Sequence, residues 1–334
     1  MVRVRFAPSP TGSLHVGNAL SAVINRHEGD WLLLRIDDTD PARNVAGGEQ
    51  AILDDLGWLG FEWDEGPVRQ SKRQGTYTAA AARLGETRFD GITLLREDGT
   101  ATYHLASVVD DAEFGITHVF RGNDHRPNEG LHRRLHEALG TVAPQYVHHG
   151  LILGEDGKKL SKRAAGATVA SLRELGLPSE AVRAYLEELG LPRHDVHYDL
   201  GRLRRLALDV IGGLSDDELA ERVAAPPEVA PAMRGARDLL EAKRIAESII
   251  TPPAAAVTSS PETLERFREL RERADGSLDA AAAKAIVREL KAVGGDLRAL
   301  RLALTGAPRG PELWTVVLAL PRDEALRRID AAIP

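Results

Sequence analysis

Apolar positions in the first half of the chain fall in short β-rich runs separated by stretches of helical spacing, and in the second half the β signal disappears. The runs Val2–Phe6, Trp31–Ile36, Thr102–Val109, Ile116–Arg121 and Tyr146–Leu153 predict strands. Between them, Asn18–Arg26, Gly47–Leu59 and Glu129–Leu139 carry apolar residues at intervals of three and four, with Gly140 placed as a C-cap. Alternation of this kind predicts a parallel α/β sheet up to about residue 165. From about residue 167 the segments Ser179–Leu189, Ser215–Val223, Arg237–Ile250, Pro261–Ala274 and Leu278–Val293 all predict amphipathic helices. The Pro- and Ser-bearing stretch from Thr251 to Ser260 is the clearest interior linker and puts a boundary near residue 251.

The 334 residues suffice for two or three domains, and 43% hydrophobic with 28% charged residues is the balance of an ordinary globular protein. No apolar run approaches the roughly 20 residues that span a bilayer, and the N-terminus is strand-like, so a cytoplasmic protein without a membrane partner is expected. The absence of cysteine excludes disulfides and thiolate zinc sites, and no zinc is expected. A net charge of −7 argues against binding DNA or other nucleic acid through a broad basic surface, and leaves room for a local patch that docks one folded RNA.

Two segments carry candidate chemistry. Residues Pro8-Ser9-Pro10-Thr11-Gly12-Ser13-Leu14-His15-Val16-Gly17-Asn18 follow a strand, break at two prolines and turn into a helix. A strand–turn–helix junction suits phosphate, because unpaired amides and the helix dipole both face the anion. Lys159-Leu160-Ser161-Lys162-Arg163 supplies two ammonium groups on a loop, suited to gripping a polyphosphate. Each segment alone is matched by a plainer reading, an ordinary turn or a solvated basic loop.

Other polar residues stay open on residue type alone. Asp37, Asp38 and Asp40 suit helix capping or a hard cation, Arg35 and Arg121 suit structural ion pairs or a site, and Tyr103 suits a half-buried core position. His132 and His136 have metal-ligand spacing without an evident third ligand, and a solvated helix face is expected there. His118, His148 and His149 receive no role.

With Arg35-Ile36-Asp37-Asp38-Thr39-Asp40, Ala101-Thr102-Tyr103-His104-Leu105-Ala106, Val109-Asp110-Asp111 and Phe120-Arg121-Gly122-Asn123-Asp124-His125 between them in order, the two segments make the chain resemble the glutamyl-tRNA synthetase family of class I aminoacyl-tRNA synthetases. The resemblance reaches Leu302–Gly306 and Gly310–Leu313 near the C-terminus. It implies a Rossmann-like parallel-sheet catalytic domain over residues 1–166, then all-α domains: a helical stem-contact-like domain at 167–250 and a compact anticodon-binding-like domain at 251–334.

The same resemblance implies an AMP- and pyrophosphate-forming ligase that activates glutamate, or a close analogue, with ATP and Mg²⁺. Pro8, Gly12, His15, Gly17, Asn18, Ser161 and Lys162 would hold ATP, with His15, Lys159 and Lys162 catalytic. Arg5, Ala7, Ser9, Asp37, Tyr103, Ser107 and Arg121 would hold the amino acid. Two arginines and a phenol suit a dicarboxylic substrate, since planar forks recognise carboxylates bidentately.

Three features depart from the family. Only a minimal insertion, at about residues 74–100, stands where the family carries a domain for the tRNA acceptor end, leaving room for a helix and a hairpin. Asp37 replaces the family's usual glutamate, and Ser107 stands where an asparagine can occur. The helix before Trp31 is about one turn shorter. The acyl acceptor is therefore expected to be either tRNA or a small-molecule amine, and a catalytically silent paralogue with a binding or regulatory role is the alternative.

Overall fold

Val4, Arg5, Phe6 and every residue of Leu32–Ile36 are buried, the pattern of inner strands covered on both faces. These strands, β1 (Arg3–Phe6) and β2 (Trp31–Ile36), run parallel with Arg3 opposite Trp31 and Phe6 opposite Leu34. On the far side of β2 lies β3 (Glu65–Arg69), also parallel. The computed structural model describes residues 1–161, 164–252, 260–274 and 276–333. Contacts divide them into two units, Met1–Glu174 with Ser179–Leu203, and Leu175–Pro178 with Arg204–Pro334.

In the first unit, α1 (Val16–Glu28) and α2 (Gly48–Trp58) link the three strands, as expected for parallel connections. The expected minimal insertion is a helix, α3 (Gln74–Leu84), and a two-stranded hairpin, β4 (Arg88–Phe89) with β5 (Ile92–Thr93). The strand expected over Thr102–Val109 is instead a helix, α4 (Tyr103–Glu113). Its apolar residues are buried on every side, which erases the periodicity that separates helix from strand. Helix α4 also delivers Asp110 and Asp111 into the core, where arginines from β1 and β2 meet them.

Strand β6 (His118–Gly122) follows, beginning beside β1 where the Thr117 amide donates to the Arg3 carbonyl at 2.9 Å. After α5 (Glu129–Ala138), β7 (Gln145–His149) pairs with β6 in parallel, Arg121 opposite His148. The strand expected to continue to Leu153 breaks after His149, where the Gly150 amide donates to the Pro192 carbonyl and the Leu151 amide to Asp195. A short β8 (Ile152–Leu153) then pairs with β9 (Val196–His197), a strand in a region expected to be helical throughout.

Helices α6 (Val169–Glu174) and α7 (Ser179–Leu189) belong to the first unit, although the expected boundary falls at residue 166. Val169, Leu172, Val182 and Leu186 are buried there, and α7 packs on α1. Helix α8 (Leu200–Gly213) starts in this unit.

The second unit is helical: α9 (Asp216–Val223), α10 (Ala230–Met233), α11 (Leu239–Ile250), α12 (Pro261–Arg273), α13 (Ala280–Ala292), α14 (Leu297–Thr305), α15 (Leu313–Ala319) and α16 (Arg322–Ala332). Ser215 and Glu218 form a reciprocal capping box at α9, and Asp238, Asp279 and Asp296 cap three later helices. Met233, Ala246, Phe267, Leu290 and Ile329 share one core, so residues on both sides of the expected boundary at 251 pack together. Most of the linker expected over Thr251–Ser260 lies outside the described residues. Among the described residues, no helix is long and apolar enough to cross a membrane.

Candidate active site

The turn that leaves β1 is built as a fixed cradle. Gly12 adopts φ +97°, a conformation side-chain-bearing residues resist, and Asp55 on α2 accepts from the Ser13 hydroxyl at 2.7 Å and the Leu14 amide at 2.8 Å. On the other side the segment after the lysine loop is stitched to it. Val16 donates to the Ala167 carbonyl and Val169 to the Leu14 carbonyl, each at 2.9 Å, which sets His15 opposite Thr168 in an antiparallel bridge.

His15 is the N-cap of α1. Its Nδ1 accepts from the Gly17 amide at 3.1 Å, so the neutral ring carries its proton on Nε2, a donor suited to an anion. Both His15 and the α1 N-terminus open onto a cavity of about 720 Å³ within the first unit. Arg5, Ala7, Pro8, Ser9, Gly17, Asn18, Asp37, Tyr103, Arg121 and Lys159 line the same cavity. Of the other expected site residues, Gly12 shapes the turn from behind the wall, while Ser161 and Ser107 are off the wall. Ser107 is buried within α4. Lys162 lies outside the described residues.

The three buried arginines of the strands differ in their partners. Arg35 donates from Nε to Asp37 at 2.7 Å and from Nη1 to Asp111 at 2.8 Å, with Asp110 at 3.7 Å. It is absent from the cavity wall and is a structural ion pair. Arg5 lies 3.3 Å from the Asp111 oxygen that Arg35 also uses. Burial pushes Asp111 up, but Arg5 and Arg35 outweigh it and hold the carboxyl below its ordinary range.

Arg121 has no acidic partner among the described residues. Its Nε donates to His148 Nε2 at 3.2 Å, its guanidinium lies 4.8 Å from the Tyr146 ring centre, and Nη2 is buried without a hydrogen bond. Burial, helped by nearby Arg5, lowers its affinity for its own proton. A buried cation left this way favours an incoming carboxylate.

The wall also holds groups that sequence reasoning missed. Arg43, Asn44 and Arg96 line the cavity from the loop after β2 and from the residual insertion. His125 stands 3.4 Å from the Tyr103 hydroxyl, and burial drives it down to about 4. His149 donates from Nδ1 to its neighbour Gly150 at 2.9 Å and accepts at Nε2 from Ser21, also on the wall. His125 closes a motif already singled out; His149 and Arg96 had no signal, because long-range packing alone brings them in.

Two expectations are corrected. His132 and His136 are buried, 1% and 0% exposed, not solvated. His132 Nε2 faces His104 Nδ1 at 3.1 Å, and burial drives His132 down to about 3, so this is an aromatic and imidazole layer behind Tyr103. Asp37 does line the cavity, but both its oxygens are bonded to Arg35, at 2.7 and 3.2 Å. Lys159 is tethered too, with its ammonium 2.5 Å from Asp124.

Comparison with known proteins agrees with this architecture. Residues 1–89 and 83–199 match the family described as tRNA synthetases class I (E and Q), catalytic domain, and residues 217–333 match the anticodon binding domain. The two catalytic pieces meet at the residual insertion. The chain is 36% identical to glutamate–tRNA ligase 1 of Rubrobacter xylanophilus, across 99% of this chain and 97% of the relative. That alignment runs over 422 positions, more than this chain's 334 residues, so the relative carries residues with no counterpart here. Glutamate–tRNA ligase of Akkermansia muciniphila is 31% identical across 98% of both chains. A crystal structure of a glutamate tRNA ligase from Elizabethkingia meningosepticum in complex with its amino acid shares the fold, with a TM-score of 0.79 at 24% identity over 99% of each chain. A parallel-sheet unit holding this cradle, followed by helices that match an anticodon binding domain, makes the chain a shortened member of the class I tRNA synthetases of the glutamate and glutamine group.

Proposed function

We propose that this chain uses ATP to convert glutamate to glutamyl-adenylate and then passes the glutamyl group to a tRNA. The observation that carries the reading is one cavity walled both by His15 and Lys159 and by Arg5 and Arg121. A triphosphate and a diacid can therefore meet there.

In the first step a carboxylate oxygen of glutamate attacks the α-phosphorus, and the bond to pyrophosphate breaks. The nucleophile is already ionised, so no protein base is needed. Arg121 and Arg5 would hold the dicarboxylate with Tyr103, while Ala7 and Ser9 would face the rest of the amino acid and Asp37, held by Arg35, would border it. His15 Nε2 would donate to charge gathering on the phosphates, and the positive end of the α1 dipole, near Pro8, Gly12, Gly17 and Asn18, would favour that charge. Lys159, with Ser161 and Lys162 of the same loop, would stabilise departing pyrophosphate. Among the described residues no cluster of three or more metal-ligating side chains occurs, so Mg²⁺ would be carried by the triphosphate and no step is assigned to it. Acceleration rests on positioning and fixed charge.

In the second step an acceptor hydroxyl attacks the mixed anhydride and AMP leaves. The match of residues 217–333 to an anticodon binding domain supports tRNA as the acceptor. A small amine has no such support, and a silent paralogue has no physical need to keep the cavity's two arginines and phosphate cradle together. The shortened insertion leaves the acceptor end to the α3 and β4–β5 remnant and the rim at Arg43 and Arg96.

Pyrophosphate exchange with glutamate, with and without total tRNA, tests the first step. Glutamate-dependent exchange is expected, and silence in both conditions across dicarboxylic amino acids would refute it. Labelled glutamate recovered on tRNA tests the second, and transfer to added amines alone would overturn the tRNA assignment.

A further inference from the structure

Register places Arg121 on β6 directly opposite His148 on β7, side by side on one face of a parallel pair. A guanidinium nitrogen only donates, so the 3.2 Å contact from Arg121 Nε makes His148 Nε2 an acceptor and puts the ring proton on Nδ1. That proton faces Glu129 Oε2 at 3.5 Å. Glu129 is itself fixed: it opens α5, where the helix dipole favours an acid, and Arg133 one turn on holds its other oxygen at 2.8 Å. Three side chains from three elements thus form a line ending at the cavity.

The line has a direction. Arg121 lies on the cavity wall, whereas His148 and Glu129 do not. Anchoring Nε and lying over the Tyr146 ring restrict the guanidinium, and the buried Nη2 makes no hydrogen bond. A fork held by one edge meets a carboxylate without first losing rotational freedom.

We infer that His148, kept in its Nδ1-protonated form by Glu129, is a positioning residue that aims Arg121 at a carboxylate of the amino acid. This rests on the reading of Arg121 as a carboxylate-binding group. Imidazole suits the task because it accepts at one nitrogen while adding no negative charge. A carboxylate at residue 148 would neutralise Arg121 and compete with the substrate.

The test measures ATP–pyrophosphate exchange of the full chain with total tRNA present, varying glutamate and ATP in turn. His148→Ala is expected to raise KM for glutamate about tenfold, the worth of a hydrogen bond to a charged group, while kcat and KM for ATP stay within about twofold. His148→Gln, whose side-chain oxygen can accept from Arg121, should recover most of the loss. Glu129→Gln, a partly exposed change that spares the fold, should raise KM for glutamate about two- to threefold, the scale of a weak charge contact. The inference is overturned if His148→Ala leaves KM for glutamate unchanged or raises both KM values alike, or if His148→Gln is no better than His148→Ala. Should His148→Ala not fold, Glu129→Gln decides, and an unchanged KM for glutamate overturns the inference. Absence of glutamate-dependent exchange in the unmodified chain would instead refute the underlying function.

Discussion

Arg35 and Arg121 each stand one residue before the end of a buried parallel strand, yet Arg35 meets three aspartates and Arg121 meets none among the described residues. Burial therefore has opposite meaning at the two positions. Arg35 completes the core; Arg121 keeps a buried nitrogen without a hydrogen bond on the cavity wall, as the proposed carboxylate-binding role requires.

Replacing each by methionine should separate the two. Arg35→Met leaves buried aspartates uncompensated and is expected to lower unfolding free energy by about 3–5 kcal/mol. Arg121→Met removes a cation with no acidic partner, so denaturant unfolding should show no loss, or a gain of about 1 kcal/mol. The same variant should raise KM for glutamate about a hundredfold, the upper range for a hydrogen-bonded ion. A large stability loss in Arg121→Met would show that the charge is structural.

Stability should fall on the acid side through the buried imidazoles. Burial drives His132 down to about 3 and His125 down to about 4, whereas an unfolded histidine titrates near 6.5. As pH drops below about 6.5 the unfolded chain takes up protons first, so the stabilising contribution is complete above that value and is lost progressively toward the folded values. Several kcal/mol should disappear between about pH 6.5 and pH 4. His132→Leu should flatten that slope, whatever it does to the plateau at neutral pH; an unchanged slope would show that His132 is not the group responsible.

Lys159 and Asp124 form a partly exposed pair, so Lys159→Ala should change stability by less than about 1 kcal/mol. If the ammonium serves pyrophosphate departure, exchange should nevertheless fall about a hundredfold, the cost of one preorganised donor. Thermal unfolding and exchange, measured on one preparation, check both halves.

Gly48 is a packing test of the phosphate cradle. A Cβ built there lies 2.3 Å from the Pro10 carbonyl oxygen, a backbone atom that cannot swing aside. Gly48→Ala should therefore displace the turn and weaken ATP far more than glutamate. Equal effects on both KM values would place the damage in the whole fold.

How much of this was legible from residues alone follows the range of the forces involved. Trp31–Ile36 and Ser179–Leu189 were bounded correctly because local periodicity and end signals decide them. The signature turn, Arg5, Tyr103 and Arg121 were legible through motif order, and the structure brings them to one cavity. Helix α4 was misread because burial on all sides leaves no polar face. Arg96, His149 and the support of Arg121 by His148 were beyond reach, since register between strands far apart in sequence has no local trace. The replacement of a glutamate by Asp37 is legible in the sequence, but its pairing with Arg35 is not, because the choice between substrate and neighbour is made in three dimensions.

The bridge between His15 and Thr168 joins residues far apart in the sequence of the catalytic unit. A nascent chain halted on the ribosome before that second strand of the bridge emerges possesses the glycine turn and the guanidinium pair but lacks the stitch that holds them. The cradle proposed for the nucleotide is consequently completed late in synthesis, and loop closure over such a span is slow to form. Products truncated within the lysine loop should be released as inert polypeptides, incapable of consuming ATP.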